Sequence, residues 1–333
     1  MLCLGCMQNI FFPSLIVCSL LFFLLPSHQL HAQLPGMSRQ TNASSLVVSP
    51  RFPEPNESVT ATLNDYSVNT SGASIAWFID GTEVPNSKNQ RSVSFTTGQL
   101  GSSLQVLAIT TLPNGSVLRA QDTITPIRVD ILIEADTRVP AFYKGRAIPA
   151  IGGSVQLTAL PFTGANRSAE SYAYTWRVGD TVQGGGSRFG QNSISFTADF
   201  QKQIQVSVDV IDTDGTILSS ESIYVPLADP ELYFYEINPL RGMSEVAMGS
   251  NFIFIGEEIQ VRAEPYFIDN ALFSAAPHQQ WKLNGQTITN PNPDQQEITL
   301  RRSGENGSFT LEYHIRNLQQ LLQGVKDTIT IRF

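Results

Sequence analysis

The chain has 333 residues, enough for two or three domains that each bury a core of their own. Charged residues make up 15% and hydrophobic residues 41%, with Ser, Thr, Asn and Gln filling the difference, a balance of extracellular β proteins rather than helical bundles. The formal net charge of −8 comes with scattered basic residues, so there is no electrostatic footprint for nucleic acid and little attraction to anionic membrane surfaces.

The segment from Met1 to Ala32 contains no Asp, Glu, Lys or Arg. Ile10 to Leu25 is apolar, broken only by Pro13 and two serines, and a polar tail runs to the small residue Ala32. This is the pattern of an export signal, either cut after Ala32 or retained as an N-terminal anchor. Everything beyond it is expected outside the cytoplasmic membrane, secreted or at the cell surface, touching a membrane only through this segment if it is uncut. All three cysteines, Cys3, Cys6 and Cys18, lie within it, so its removal leaves no thiol for disulfides, zinc or nucleophilic catalysis. Residues 33–46 are polar and read as a flexible lead-in, with strand-like alternation beginning at Ser45-Leu-Val-Val48.

From there a unit of about 100 residues occurs three times by this register. Each copy opens on an alternating strand (Ser58–Leu63, Ser154–Ala159, Glu258–Ala263) whose apolar residues share one face. A Trp strand follows: Ile75-Ala-Trp-Phe-Ile-Asp-Gly81, Tyr174-Thr-Trp-Arg-Val-Gly-Asp180 and Gln280-Trp-Lys-Leu-Asn-Gly285. Each apolar run stops at a Gly-containing turn, the signature of a central strand feeding a tight hairpin. Two further strands come next, then a hairpin closed in the first two copies by Pro113-Asn-Gly115 and Asp212-Thr-Asp-Gly215, and last a strand centred on Ile124, Ile223 or Ile329. The spacing from Trp77 to Ile124 equals that from Trp176 to Ile223, and the spacing from Trp281 to Ile329 is a single position longer. In the third copy a helix-like stretch, Leu318–Leu322, replaces the closing turn. Short alternating strands, about seven per copy, predict an all-β chain of three tandem immunoglobulin-like antiparallel β-sandwiches, at 47–126, 127–226 and 227–333.

At these residues the chain resembles the immunoglobulin-like domains of bacterial surface proteins, in particular the polycystic-kidney-disease (PKD) type. That family carries an aromatic strand reading roughly Tyr-x-Trp-x-Phe-Gly-Asp-Gly. The nearest copy is Tyr174–Thr181, with Thr181 in place of the second Gly, and Val206–Gly215 matches the strand ending in Asp-x-x-Gly. The first and third copies keep the Trp but have Asp80-Gly81 and Asn284-Gly285 as plain hairpin turns. The resemblance implies the sandwich fold; it does not assign a ligand, because such sandwiches serve as spacers, adhesive modules and accessory domains alike.

Beyond the signal only His278 and His314 could act as histidine bases, and no Gly-x-Ser-x-Gly elbow, phosphate loop or His-Glu-x-x-His motif occurs. No enzyme activity, catalytic residue, cofactor or metal is therefore expected. Asp212-Thr-Asp214-Gly215 lacks the later ligands of a calcium loop and reads as a turn. A calcium ion between domains, held by Asp130, Glu134, Asp136 or Asp229, stays open without a spacing rule behind it. The three tryptophans, Trp77, Trp176 and Trp281, sit among apolar neighbours and read as core.

The long connection at residues 134–149 combines Arg138, Phe142, Tyr143, Lys144 and Arg146, and residues 237–249 match it in the third copy. A connection of this length is either a binding loop or a brace against the next domain. Linkers are almost absent, and Pro126 and Pro226 favour extended, semi-rigid joints. The expected function is a non-enzymatic surface or secreted rod in adhesion or as an envelope scaffold, with a protein or glycan partner. The alternatives are a glycan-binding accessory protein and a subunit of a larger surface assembly such as a pilus or secretion complex, joined by strand addition.

Overall fold

The computed structural model describes residues 44–65, 71–198, 201–271, 277–302, 304, 306–318 and 323–333. The export segment lies outside them, as does most of the helix-like stretch Leu318–Leu322. Among the described residues, no helix is long and apolar enough to cross a membrane.

The chain is all-β, in sheets that pair around three hydrophobic cores. In the first sandwich, Ser44–Ser49, Ser58–Asp65 and Ser92–Thr96 form one sheet. Thr82–Glu83, Ser74–Ile79, Leu104–Thr111 and Val117–Ile124 form the other. Ser44–Ser49 begins inside the segment read as lead-in, which therefore ends before residue 44 rather than at 46. Its backbone pairs with Ser58–Asp65 along its full length, and that ladder is what recruits it into the sheet.

The second sandwich sets Ser193–Thr197, Ser154–Phe162 and Arg128–Ala135 against a sheet built on Ala173–Val178, Gln203–Ile211 and Ile217–Pro226. The third sets Glu231–Asn238, Glu258–Tyr266 and Glu297–Arg301 against His278–Leu283, Ser308–Arg316 and Gly324–Arg332. Nearly all pairing is antiparallel. One exception is Asn251–Ile253, which runs parallel to Gly324–Arg332 as an edge strand.

The repeat is visible in the hydrogen bonds. Trp77, Trp176 and Trp281 are 0%, 2% and 2% exposed, one in each core. Each indole Nε1 donates to a glutamine carbonyl just before the next strand: Gln90 at 2.9 Å, Gln191 at 3.0 Å and Gln295 at 2.8 Å. The ring thus buries its apolar body and satisfies its one donor, the condition for a large aromatic at the centre of a core.

A second shared device lies where the chain enters the strand of Val59, Val155 or Ile259. Asn56, Gly152 and Gly256, each three residues earlier, all take positive φ (60°, 76° and 143°). The next residue then offers its carbonyl to Thr97 N, Ala198 N or Arg302 N at 2.8–2.9 Å. The wide positive φ of Gly256 suits only glycine, whereas an asparagine such as Asn56 tolerates the ordinary left-handed turn. The hairpins after Trp77 and Trp281 also match. Asp80 (φ 47°) and Asn284 (φ 50°) each precede a left-handed glycine, and their side chains accept from Gln105 N and Thr310 N.

Candidate functional site at the junction of the second and third sandwiches

The 134–149 connection crosses to the third sandwich. Thr137–Arg138 pairs antiparallel with Ile268–Asp269 as a two-stranded ribbon joining the sandwiches. Phe267 makes this geometry. Its φ of 54°, rare for a bulky residue, turns the chain out of the strand Glu258–Tyr266, and its N–H donates to Arg138 O at 3.0 Å. Beyond the ribbon, Asn270 binds Asp136 twice, backbone to backbone at 3.0 Å and through its side-chain amide to Asp136 Oδ1 at 2.7 Å.

A separate apolar cluster fills the joint: Tyr235, Tyr266 and Phe267 from the third sandwich, packed by Val139, Phe142, Tyr143 and Ile148 of the connection. Phe142 meets Tyr235 edge to face at 5.4 Å, and Tyr143 meets Tyr266 likewise at 5.7 Å. The hydroxyls of Tyr235 and Tyr266 share a 2.6 Å hydrogen bond, and burial raises the pKa of both above the usual phenol range.

Two buried polar side chains complete the joint. Asp269, 8% exposed, accepts Ser154 N of the second sandwich at 2.7 Å through Oδ2 and Ala271 N at 2.8 Å through Oδ1. Gln323, fully buried, donates to Ile151 O of the second sandwich at 2.6 Å and accepts Asp269 N at 3.0 Å. Gly153 leaves room for this approach, since a Cβ there would lie 3.2 Å from Asp269 Oδ2.

Beside the ribbon runs a charged strip. Arg262 binds Glu264, Asp294 and Glu297; burial works against its charge, but the three carboxylates outweigh it and raise its pKa. Arg138 donates to Gln296 Oε1 at 3.1 Å and lies 3.5 Å from Glu264 Oε2, close enough for an ion pair but without hydrogen-bond geometry. An open groove of about 440 Å³ passes between Arg138–Phe142 and Ile237, Met243, Arg262, Glu264 and Glu297.

The five residues singled out in the connection therefore do not converge. Arg138, Phe142 and Tyr143 enter the joint, whereas Lys144 and Arg146 are exposed and Arg146 folds back onto Ile133 O. Pattern reading missed Asp269, Gln323, Tyr235 and Tyr266. The one available signal was the apolar run Tyr266-Phe-Ile268 continuing past the end of its strand, where the second copy has Thr163-Gly164.

Four of the six carboxylates considered for calcium have other partners. Asp212 Oδ1 accepts Thr213 N and Arg167 Nη1, Asp214 Oδ1 accepts Thr216 N, Asp136 binds Asn270 and Asp130 lies 3.2 Å from Arg128. Among the described residues no three His, Cys, Asp or Glu side chains gather as a metal set.

The first and second sandwiches meet more sparsely. Gly101 N donates to Pro126 O at 2.9 Å, and Gly101 lies so close to Thr163–Gly164 that an added Cβ would fall 2.4 Å from Thr163 O. Arg51, Phe52 and Pro53 line a groove shared with Thr216, Ile217 and Leu218 of the second sandwich's closing hairpin.

No protein-family model matches the chain, and no curated protein matches it. The chain is similar, at low identity, to several solved structures. Three N-terminal domains of the bacteriophage RB49 highly immunogenic outer capsid protein match at 12% identity, covering 87% of this chain and 97% of that one, with a TM-score of 0.25. Fibronectin(III)-like modules of Clostridium thermocellum CbhA match at 11% identity, 55% and 93% coverage, and a TM-score of 0.26. The Bacteroides ovatus mixed-linkage glucan utilization locus protein SGBP-B, solved with a heptasaccharide, matches at 14% identity, 86% and 70% coverage, and a TM-score of 0.20. Its own paired antiparallel sheets and repeated Trp cores make this chain an all-β protein of repeated β-sandwiches.

Proposed function

We propose that the chain is an exported, non-enzymatic structural protein of PKD-like sandwiches. In this reading it holds its sandwiches in fixed relation at the cell surface, as a scaffold or adhesive stalk. The observation that carries this reading is the second–third junction. The buried groups there (Asp269, Gln323, Tyr235, Tyr266) bind one another and the neighbouring sandwich's backbone, so an elaborate polar arrangement is spent on fixing an interdomain angle. A binding head needs exposed, convergent groups; a spacer needs this.

The test is surface exposure and mechanics together. The protein should be protease-accessible on intact cells, and spin labels on the second and third sandwiches should give one narrow distance distribution. Broad distances would remove the stalk reading, and a hydrolase activity abolished by a single carboxylate change would remove the non-enzymatic one.

A second reading is favoured by the groove beside Phe142. Its aromatic edge, two arginines and two carboxylates are side chains that a glycan's hydroxyls could address, which would make the protein a glycan-binding accessory. Glycan-array binding lost on Phe142→Ala, with the interlabel distance unchanged, would establish it.

A further inference from the structure

The three copies differ in how they carry the chain from the Trp strand to the next one. In each copy this connection ends on the glutamine whose carbonyl accepts the indole, Gln90, Gln191 or Gln295. In the first and third copies the same glutamine's amide is tied back into the connection. Gln90 Nε2 donates to Asn86 O at 2.9 Å, and Gln295 Nε2 donates to Asn292 O at 2.7 Å. Their other polar side chains are used likewise. Ser87 donates to Val84 O, and Asn290, Asn292 and Asp294 each accept the backbone N–H two residues on.

The second copy is built otherwise. Its connection is the longest, with 15 positions from Trp176 to Gln191 against 13 and 14 in the others. It carries Gly184-Gly-Gly186 at φ of 65°, 81° and 135°, the last open to glycine alone. The loop is nonetheless held in place: the hydroxyls of Thr175 and Ser187 lie 2.6 Å apart, and Arg188–Phe189 pairs with Ala173–Tyr174. Its polar side chains stay unused. Among the described residues the Gln191 amide and the Arg188 guanidinium have no hydrogen-bond or ion-pair partner.

Between this loop and the strand Ser193–Thr197 of the facing sheet lies a cleft of about 210 Å³, lined by Gln183, Gly184, Gln191, Ser193, Ile194 and Ser195. Gly184 lets the free groups converge on its mouth, since a Cβ there would lie 3.4 Å from Arg188 Cζ and 3.7 Å from Gln191 Oε1. Ser193 pairs with Thr158, the midpoint of Ser154–Phe162, so the cleft sits on the flank of the second sandwich, clear of both junctions.

The lining decides what fits. Two amides and two hydroxyls both donate and accept, as sugar hydroxyls do. No carboxylate lines the cleft, and the one charge at its mouth is a cation, in a chain of net charge −8. An unpaired guanidinium beside neutral hydrogen-bonding groups matches a ligand that combines hydroxyls with a carboxylate, which arginine grips through two parallel bonds. The volume equals about seven waters at roughly 30 Å³ each, space for one sugar unit and not for a folded partner.

We propose that this cleft binds a carboxylate-bearing sugar, a uronic acid unit of an acidic polysaccharide. Arg188 takes the carboxylate, and Gln183, Gln191, Ser193 and Ser195 take the hydroxyls. The site is separate from the groove beside Phe142 and does not rest on the reading of that groove.

Isothermal titration calorimetry of the whole protein with a glucuronic acid oligosaccharide, and with a glucose oligosaccharide of the same length, tests this. Saturable binding of the acidic oligomer, tighter than that of the neutral one, is expected. Arg188→Gln removes hydrogen bonds to a charged group, so it should weaken acidic binding about tenfold or more and bring the two oligomers level. Gln191→Ala combined with Ser195→Ala should weaken it by a similar factor. The Gln191 carbonyl that holds Trp176 is backbone and survives, and Arg188 and Ser195 are exposed, so the unfolding midpoint should not move in these variants. Phe142→Ala should leave the binding unchanged. No binding of the acidic oligomer, an affinity untouched by Arg188→Gln, or binding lost on Phe142→Ala would overturn the inference.

Discussion

Replacing Asp269 by alanine should loosen the joint between the second and third sandwiches without unfolding either. The carboxylate makes two hydrogen bonds, and only the one to Ser154 N crosses the joint. A buried hydrogen bond to a charged group contributes about 1.5–3 kcal/mol, and its loss leaves Ser154 N without that acceptor at a site now lined by a methyl. The ratio of docked to undocked joint should therefore fall by roughly ten- to a hundredfold, at about 1.4 kcal/mol per factor of ten. The aromatic cluster and the Thr137–Arg138 ribbon remain, so the joint should loosen rather than separate. Differential scanning calorimetry should show the shared transition of the two sandwiches broaden or split, and limited proteolysis should begin to cut within residues 134–149. Gln323→Ala, which removes the other buried bridge, should act in the same direction. A variant with an unchanged, single transition and an intact 134–149 segment would refute the assignment of Asp269 as a clamp.

Trp77→Ala should destabilise the first sandwich by about 3–5 kcal/mol, the usual range for deleting a buried large aromatic, read by denaturant unfolding of that transition. Burial, with Tyr172 and Glu170 nearby, pushes the Tyr174 phenol up to about 12. The stability this contributes is complete below the ordinary phenol value of about 10 and is lost as pH rises towards the folded value, so ultraviolet titration should show one tyrosine fewer ionising late in Tyr174→Phe. His314 is shifted the other way: burial, then Arg316 and Lys326, lowers its pKa. The folded state therefore resists its protonation, and stability should decline as pH falls through about 6.5, a decline that His314→Gln removes.

How much of this was legible beforehand follows from distance along the chain. The sandwich repeat was readable because its determinants are local: a period of two on each strand, a Trp before a turn, and a spacing from Trp to the closing strand that holds to within one position. The indole bonds to Gln90, Gln191 and Gln295 were not foreseen, but they span only 13 to 15 residues and recur in register, so a reader who aligned the copies could have marked those glutamines. The junction was different. Asp269 binds Ser154 across 115 residues and Gln323 binds Ile151 across 172, and no periodicity links them.

By itself, then, the chain's order of residues determined the three cores, because each is made from alternating faces within about 100 residues and needs nothing from its neighbours. Only the tertiary structure decided the use of the 134–149 connection. Phe142 and Tyr143 have the composition of a binding loop, but Tyr235, Tyr266 and Phe267 of the third sandwich pack against them, and burial converts a candidate contact surface into a brace.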